Sequence, residues 1–278
     1  MNNTVFQNIL LYLKRTVNAV LPNRLLKLYW NLKYRTSNLG KERENILSIF
    51  RSKLSFNDEN YRYLIEKARK VKLRFSAQYA QDIIAYLFFK GKDSGFYIEI
   101  GANDGYTGST TFWAEQLGWD GICVEPELET FDELKKRRFC NLYNVAISDR
   151  NRKGVEFINF PKRTSRSGIS DTMTEYQIDE AKIYSSMTTT TVNTLTFGDM
   201  MNDFPDIRHI DFLSIDTEGH EMNVLQSIDF DKYSFGLLTI ETVEGSDVVR
   251  HIEKYGYKTL MTAGSDVIFY RIDGGGHE

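Results

Sequence analysis

The stretch Tyr97-Ile-Glu-Ile-Gly101-Ala-Asn-Asp-Gly105, with Gly108 just beyond, decides how the chain is read. A short apolar run passes straight into a glycine-rich turn, and a helical spacing of apolar residues follows. Glycine at 101 and 105 permits a sharp turn and leaves room for a ligand against the backbone. A helix start beyond the turn adds free N–H groups and the positive end of a dipole. Such a turn alone is a weak signal, and its surroundings strengthen it.

Outward from it, short apolar strands alternate with helices. Strands are expected at 96–100, 121–125, 142–147, 210–215 and 237–242, and helices at 107–117, 128–138, 221–227 and 247–255. Segments 258–262 and 267–271, joined across Ala-Gly-Ser-Asp, read as an antiparallel hairpin. Short apolar strands separated by helices imply a mostly parallel sheet covered on both faces. Residues 148–195 break the rhythm. They are rich in Ser, Thr and Arg and are expected to form an insertion on the substrate side, with a short edge strand near 191–193. Plain loop is the alternative.

The strand ends carry the chemistry. The second ends in Val124-Glu125-Pro126, twenty residues after Gly105, where a carboxylate can accept hydrogen bonds from two ribose hydroxyls. The other reading of Glu125 is a helix cap or surface acid. The glycines lack the G-x-G-x-x-G spacing that supports a pyrophosphate, and Glu99 and Asp104 would repel one. Both acids suit the cationic parts of S-adenosylmethionine. The third strand runs through Asn144-Val-Ala-Ile-Ser-Asp149, where Ala146 and Ile147 can pack on an adenine. The fourth ends in Ile215-Asp-Thr-Glu-Gly-His-Glu221 and the fifth in Glu241-Thr-Val-Glu244. Carboxylates gathered this closely raise one another's pKa, so one can serve as a base near neutrality. The candidates for that base are Asp216, Glu218, His220 and Glu241. Glu218 and Glu221 can instead favour the next helix's N-terminus, and His220 can be a hydrogen-bond partner or a bystander.

The 278 residues carry a net charge of −3, unevenly spread. Residues 1–74 hold 16 Lys/Arg against 5 Asp/Glu, and the remainder 19 against 33. A basic head on an acidic body suggests that the head faces an anionic surface, or is simply solvated. Residues 4–21 and 25–35 read as basic amphipathic helices, so 4–35 is expected to touch a membrane interface, the domain or a second copy of the chain. Lys14 and Arg15 interrupt the best candidate span, and no secretory cleavage pattern is read. Two cysteines and four scattered histidines lack structural zinc spacing and fit a reducing cytoplasm, with the inner face of the membrane as the expected contact of the basic head.

Ile98-Glu-Ile-Gly-Ala-Asn-Asp-Gly105, Val124-Glu-Pro126, Asn144 to Asp149 and Leu213-Ser-Ile-Asp-Thr-Glu-Gly-His-Glu221 together resemble the FkbM family of S-adenosylmethionine-dependent methyltransferases. The resemblance covers roughly 75–271, and Ser76-Ala-Gln-Tyr-Ala-Gln-Asp82 is similar to the element that precedes the domain in many members. It implies a Rossmann-like class I methyltransferase fold, with a mostly parallel seven-stranded sheet and a C-terminal antiparallel hairpin. Residues 75–278 would form that domain, behind a basic helical extension over 1–74. It implies that Glu99, Gly101, Ala102, Asn103 and Gly105 hold the methionine part and Glu125 with Pro126 the ribose. Gln78, Gln81, Asp82 and Asp216 would line the same pocket, with Ala146 and Ile147 beside the base. Members mostly methylate hydroxyl oxygens, often on sugars of bacterial glycans or on natural products. Some related sugar methyltransferases use a divalent cation, for which Asp216 and Glu241 are the candidates. Many members have Asp at the position of Glu99 and an apolar residue at that of Asp104. A nicotinamide-dependent oxidoreductase and a non-catalytic scaffold of the same fold are the competing readings. The acidic body and the lack of an Asn/Asp-Pro-Pro-aromatic motif argue against nucleic acid.

Overall fold

The computed structural model describes residues 58–271, which fall within one compact unit, Lys53–Glu278. The helices expected over 4–21 and 25–35, and with them the membrane-facing segment 4–35, lie outside the described residues. Helix α1 (Asp58–Lys70) falls inside the stretch expected as an extension, yet it packs on the domain. Leu64 and Ala68 are buried, the Tyr86 hydroxyl donates to the Leu64 carbonyl, and Lys67 reaches the Gly91 carbonyl. The compact unit therefore starts before residue 74. Helix α2 (Gln81–Phe88) follows and buries Ile84, Ala85, Tyr86 and Leu87.

Seven strands form the main sheet: β1 (Phe96–Ile100), β2 (Asp120–Val124), β3 (Asn141–Tyr143), β8 (His209–Ile215), β9 (Ser234–Glu241), β10 (Lys258–Ala263) and β11 (Asp266–Tyr270). Their order is β10-β11-β9-β8-β1-β2-β3. All neighbours pair in parallel except β11, which runs antiparallel to β9 and β10. Ile98, Ile122, Leu213 and Leu238 are fully buried, as expected of strands covered on both faces. Helices α3 (Phe112–Gln116), α4 (Leu128–Arg137), α7 (Glu221–Gln226) and α8 (Asp247–Glu253) supply the cover. The connections diverge on either side of β1, so a crevice opens at the carboxyl ends of β1 and β8.

Two expectations change. The strand expected over 142–147 is two strands. Asn144 turns its amide onto the carbonyls of Glu125 and Pro126, which pins the chain there and lifts it out of the main sheet. The continuation, β4 (Ala146–Ile147), joins a second, four-stranded sheet. That sheet is the expected insertion, and it is largely ordered: β5 (Arg152–Asn159), β6 (Gly168–Ile169), α5 (Glu175–Lys182) and β7 (Thr188–Leu195), followed by α6 (Phe197–Met200). Threonines suit a pleated strand because they are β-branched. Val155, Phe157 and Val192 alternate inward onto Ala146 and Ile169. The edge strand expected near 191–193 is thus an eight-residue strand paired on both sides.

Candidate active site

Helix α3 begins at Phe112 rather than near 107, because residues 109–111 wrap around the Glu99 carboxylate. Glu99 accepts from the Thr110 N–H at 2.8 Å and from the hydroxyls of Ser109 (2.8 Å) and Thr111 (2.7 Å). Arg138 lies against it at 3.1 Å, with its side chain wholly enclosed, and also meets Glu115 at 2.7 Å and the Tyr97 hydroxyl at 2.8 Å. Glu99 borders the cleft, but its charge is balanced from behind by Arg138, which the sequence reading missed.

Gly101 sits at φ +85°, and a Cβ there would stand 1.7 Å from the Asp216 carbonyl oxygen. Backbone therefore meets backbone where the loops after β1 and β8 cross. Gly105 does different work from that expected. A Cβ on it would meet Leu134 at 2.6 Å, so it admits α4 and lies away from the cleft wall. Asp104 also faces elsewhere: it accepts from Tyr106 and Thr107 and pairs with Arg137 at 2.5 Å, and these partners hold its carboxyl below the usual range against the effect of burial.

The cleft after β1 and β2 spans about 1050 Å³, measured to its open mouth. Its walls include Gln78, Gln81, Glu99, Gly101, Ala102, Asn103, Glu125, Pro126, Ala146, Ile147, Asp216, Glu218 and His220. Asp82 is not among them. It accepts the N–H groups of Ser76 and Ala77 and stabilises the turn entering α2, while burial pushes its carboxyl up to about 6. Glu125 is buried, which pushes it up to about 7. One of its oxygens receives the Asn103 N–H at 2.9 Å and the other the Glu127 N–H at 2.9 Å. Each oxygen keeps a second lone pair for a further donor.

Part of the roof comes from the insertion. Thr164 donates to the Asn103 side-chain oxygen at 2.8 Å, and Thr164, Ser165, Ser167, Phe157 and Ile169 line the cleft. Ser265 and Asp266 arrive from the tip of the last hairpin, where Asp266 pairs in register with Glu241 and accepts from Gln81 at 3.0 Å.

A smaller adjoining cleft, about 380 Å³, is lined by Gln78, Arg163, Ser165, Arg166, Asp216, Glu218, Glu241 and Ser265. Asp216, Glu218 and Glu241 each present a carboxylate oxygen within 4.8 Å of the others. Asp216 is exposed to the cleft, and the protein packed around it, then Glu241 and Glu218, raise its carboxyl above the usual range. Burial followed by Glu241 pushes Glu218 up to about 8, opposed by Arg166 at 3.1 Å. Burial and Glu221 push Glu241 up to about 7, moderated by a hydrogen bond from Asp216. Glu218 is a non-glycine residue at φ +55°, held there as Glu221 accepts from the N–H groups of Thr217 and Gly219. Glu221 is thus a strut of the loop.

His220 stands apart from the carboxylates. Its ring nitrogens meet the hydroxyls of Ser148 at 3.0 Å and Thr172 at 3.1 Å, and burial pushes it down to about 4. Near neutral pH it is an uncharged hydrogen-bond partner.

This sheet order, with a carboxylate at the end of β2 and the cleft over the first loop, defines a class I, Rossmann-like methyltransferase fold. Residues 99–259 match the family described as the methyltransferase FkbM domain, and the chain belongs to that family. It is an S-adenosylmethionine-dependent methyltransferase. Similar solved structures include a methyltransferase from Geobacter sulfurreducens, 12% identical over 82% of this chain and 98% of that one, TM-score 0.38. A TehB-like SAM-dependent methyltransferase from Corynebacterium glutamicum is 12% identical over 77% and 97%, TM-score 0.36. An O-methyltransferase from Bacillus cereus, in complex with SAH, is 12% identical over 81% and 95%, TM-score 0.35. No curated protein matches the chain. Among the described residues no helix is long and apolar enough to cross a membrane.

Proposed function

We propose that the enzyme methylates a hydroxyl oxygen of a sugar, in a bacterial glycan such as a capsule, a lipopolysaccharide or a glycoconjugate. The observation that carries this reading is the smaller cleft: all eight residues lining it are polar or charged, as a polyhydroxylated acceptor requires. An apolar natural product would need apolar walls. The larger cleft fits the cofactor. Glu125 would hold the ribose hydroxyls on its remaining lone pairs, Ala146 and Ile147 the adenine, and Gln78, Gln81, Asp216 and the 101–103 loop the methionine part. S-adenosylmethionine supplies a methyl group already activated by its sulfonium. The chain's own work is to align the acceptor, exclude water and take a proton from the hydroxyl.

Glu241 is the base in this reading. Its carboxyl titrates near 7, so it is ionised at mildly alkaline pH, and Asp216 lies beside it in the same cleft. Glu241→Gln is expected to lower kcat on a sugar acceptor by about 100- to 10,000-fold. Calorimetric affinity for S-adenosylhomocysteine should stay within a few-fold, because Glu241 lines only the smaller cleft. Undiminished turnover removes Glu241 as the base.

One observation favours a second reading. The three carboxylate oxygens within 4.8 Å suit a divalent cation that orients two acceptor hydroxyls. Chelation by EDTA that abolishes turnover, with recovery on added Mg²⁺ or Mn²⁺, would favour it. The reaction is placed in the cytoplasm, with residues 4–35 as a contact to the inner membrane face or to a second copy in a homo-oligomer.

A further inference from the structure

Arg163 lines the smaller cleft together with the three carboxylates, yet among the described residues its guanidinium makes no side-chain hydrogen bond. Its nearest carboxylate, Glu180, is 3.9 Å away, beyond hydrogen-bonding range. What holds it is a ring: the guanidinium carbon lies 4.2 Å from the centre of the exposed Tyr184. A planar fork of five donors, steadied on an aromatic face and two-fifths open to solvent, is prepared for an oxyanion. Arg166 differs, since Glu218 already takes it at 3.1 Å.

We infer that the acceptor sugar carries an anionic oxygen group, a carboxylate or a phosphate, and that Arg163 binds it. The inference rests on the sugar-acceptor reading above. Arg166 offsets part of the charge of the carboxylate cluster, so an anion at Arg163 competes chiefly with Glu180. Glu218 pairs with Arg166, Arg166 lies 3.8 Å from Glu180, and Glu180 lies beside Arg163. Arg163 and Glu241 line the same cleft, so one acceptor can present its anion to the first and its hydroxyl to the second. Arg163 sets specificity in this arrangement and takes no part in proton transfer.

The test is calorimetry on the full chain saturated with S-adenosylhomocysteine, using methyl glucuronide, glucose 1-phosphate and methyl glucoside as probes. At least one anionic probe should bind tenfold or more tightly than the glucoside. Whichever anionic probe binds better identifies the group. Arg163→Gln should collapse the ratio towards one, and Arg163→Lys should keep part of it. Affinity for S-adenosylhomocysteine in each variant reports that the cofactor site has folded. Equal affinity for all three probes, no binding of any, or a ratio unmoved by Arg163→Gln overturns the inference. Selective binding with no methyl transfer to any hydroxyl instead overturns the sugar-methylation reading, so the two failures are distinct.

Discussion

The two sheets are built from opposite materials. In the main sheet, strands of Ile, Leu, Val and Phe are enclosed on both faces, and the polar chemistry is confined to the loops at their ends. The second sheet has a small inward cluster of five residues, and β7 begins with four exposed threonines. The first sheet holds itself together by apolar burial and fixes the cofactor cleft to within the tolerance of a packed core. The second is attached chiefly through side-chain contacts, and it brings Thr164, Ser165, Arg163 and Arg166 over the cleft. Stability belongs mostly to one region, and the proposed sugar reading assigns acceptor choice to the other.

The sharpest way to break this division is at Arg138. Its enclosed side chain balances Glu99 and Glu115, so Arg138→Ala leaves two acids without their partner. The expected cost is about 3–5 kcal/mol in denaturant unfolding. A loss below about 1 kcal/mol would mean that the main sheet does not depend on this network. Glu125→Gln comes next. The amide must turn its NH₂ toward one of the two backbone N–H donors, Asn103 or Glu127. Affinity for S-adenosylhomocysteine should fall about 10- to 100-fold by calorimetry, and the ligand-free protein should lose about 1–3 kcal/mol in denaturant unfolding.

Titration sharpens the comparison at the rim between the sheets. Glu125, Glu218 and Glu241 are raised from 4.5 to about 7, 8 and 7 by burial and by neighbouring acids. The folded chain therefore retains protons that the unfolded chain releases. Their stabilising contribution is complete below about pH 4.5 and is lost as pH rises toward 8. The melting temperature of the ligand-free protein should fall across that window, whereas kcat/KM should rise with a midpoint near 7 as Glu241 ionises. A flat rate profile from pH 6 to 8 would exclude Glu241. The smallest effect is expected at the seam. Thr164→Ala removes one hydrogen bond to Asn103, worth about 1 kcal/mol, and should lower the melting temperature by about 2–4 °C.

Much of the main sheet was legible in the chain, because apolar runs of strand length between helical patterns follow from burial on two faces. Strands 96–100 and 210–215, the hairpin and Glu125 at a strand end were found this way. The second sheet was harder to see, since polar threonines mask a period of two that only Val155, Phe157 and Val192 reveal. The capping box of Thr174 and Gln177 marks α5 and went unread.

Local pattern, then, determined the family motifs, the order of strands and helices and the carboxylates at their ends, because each depends on residues close in sequence. Only the tertiary structure decided which carboxylates face the cleft. Glu99, Asp82 and Asp104 are committed to partners within the protein, and Asp216, Glu218 and Glu241 converge on one cleft. It also set Arg163 beside that cleft, across 53 residues of chain from Asp216. A charge's chemistry is fixed by what surrounds it in space, and sequence spacing does not encode that for residues brought together by different strands.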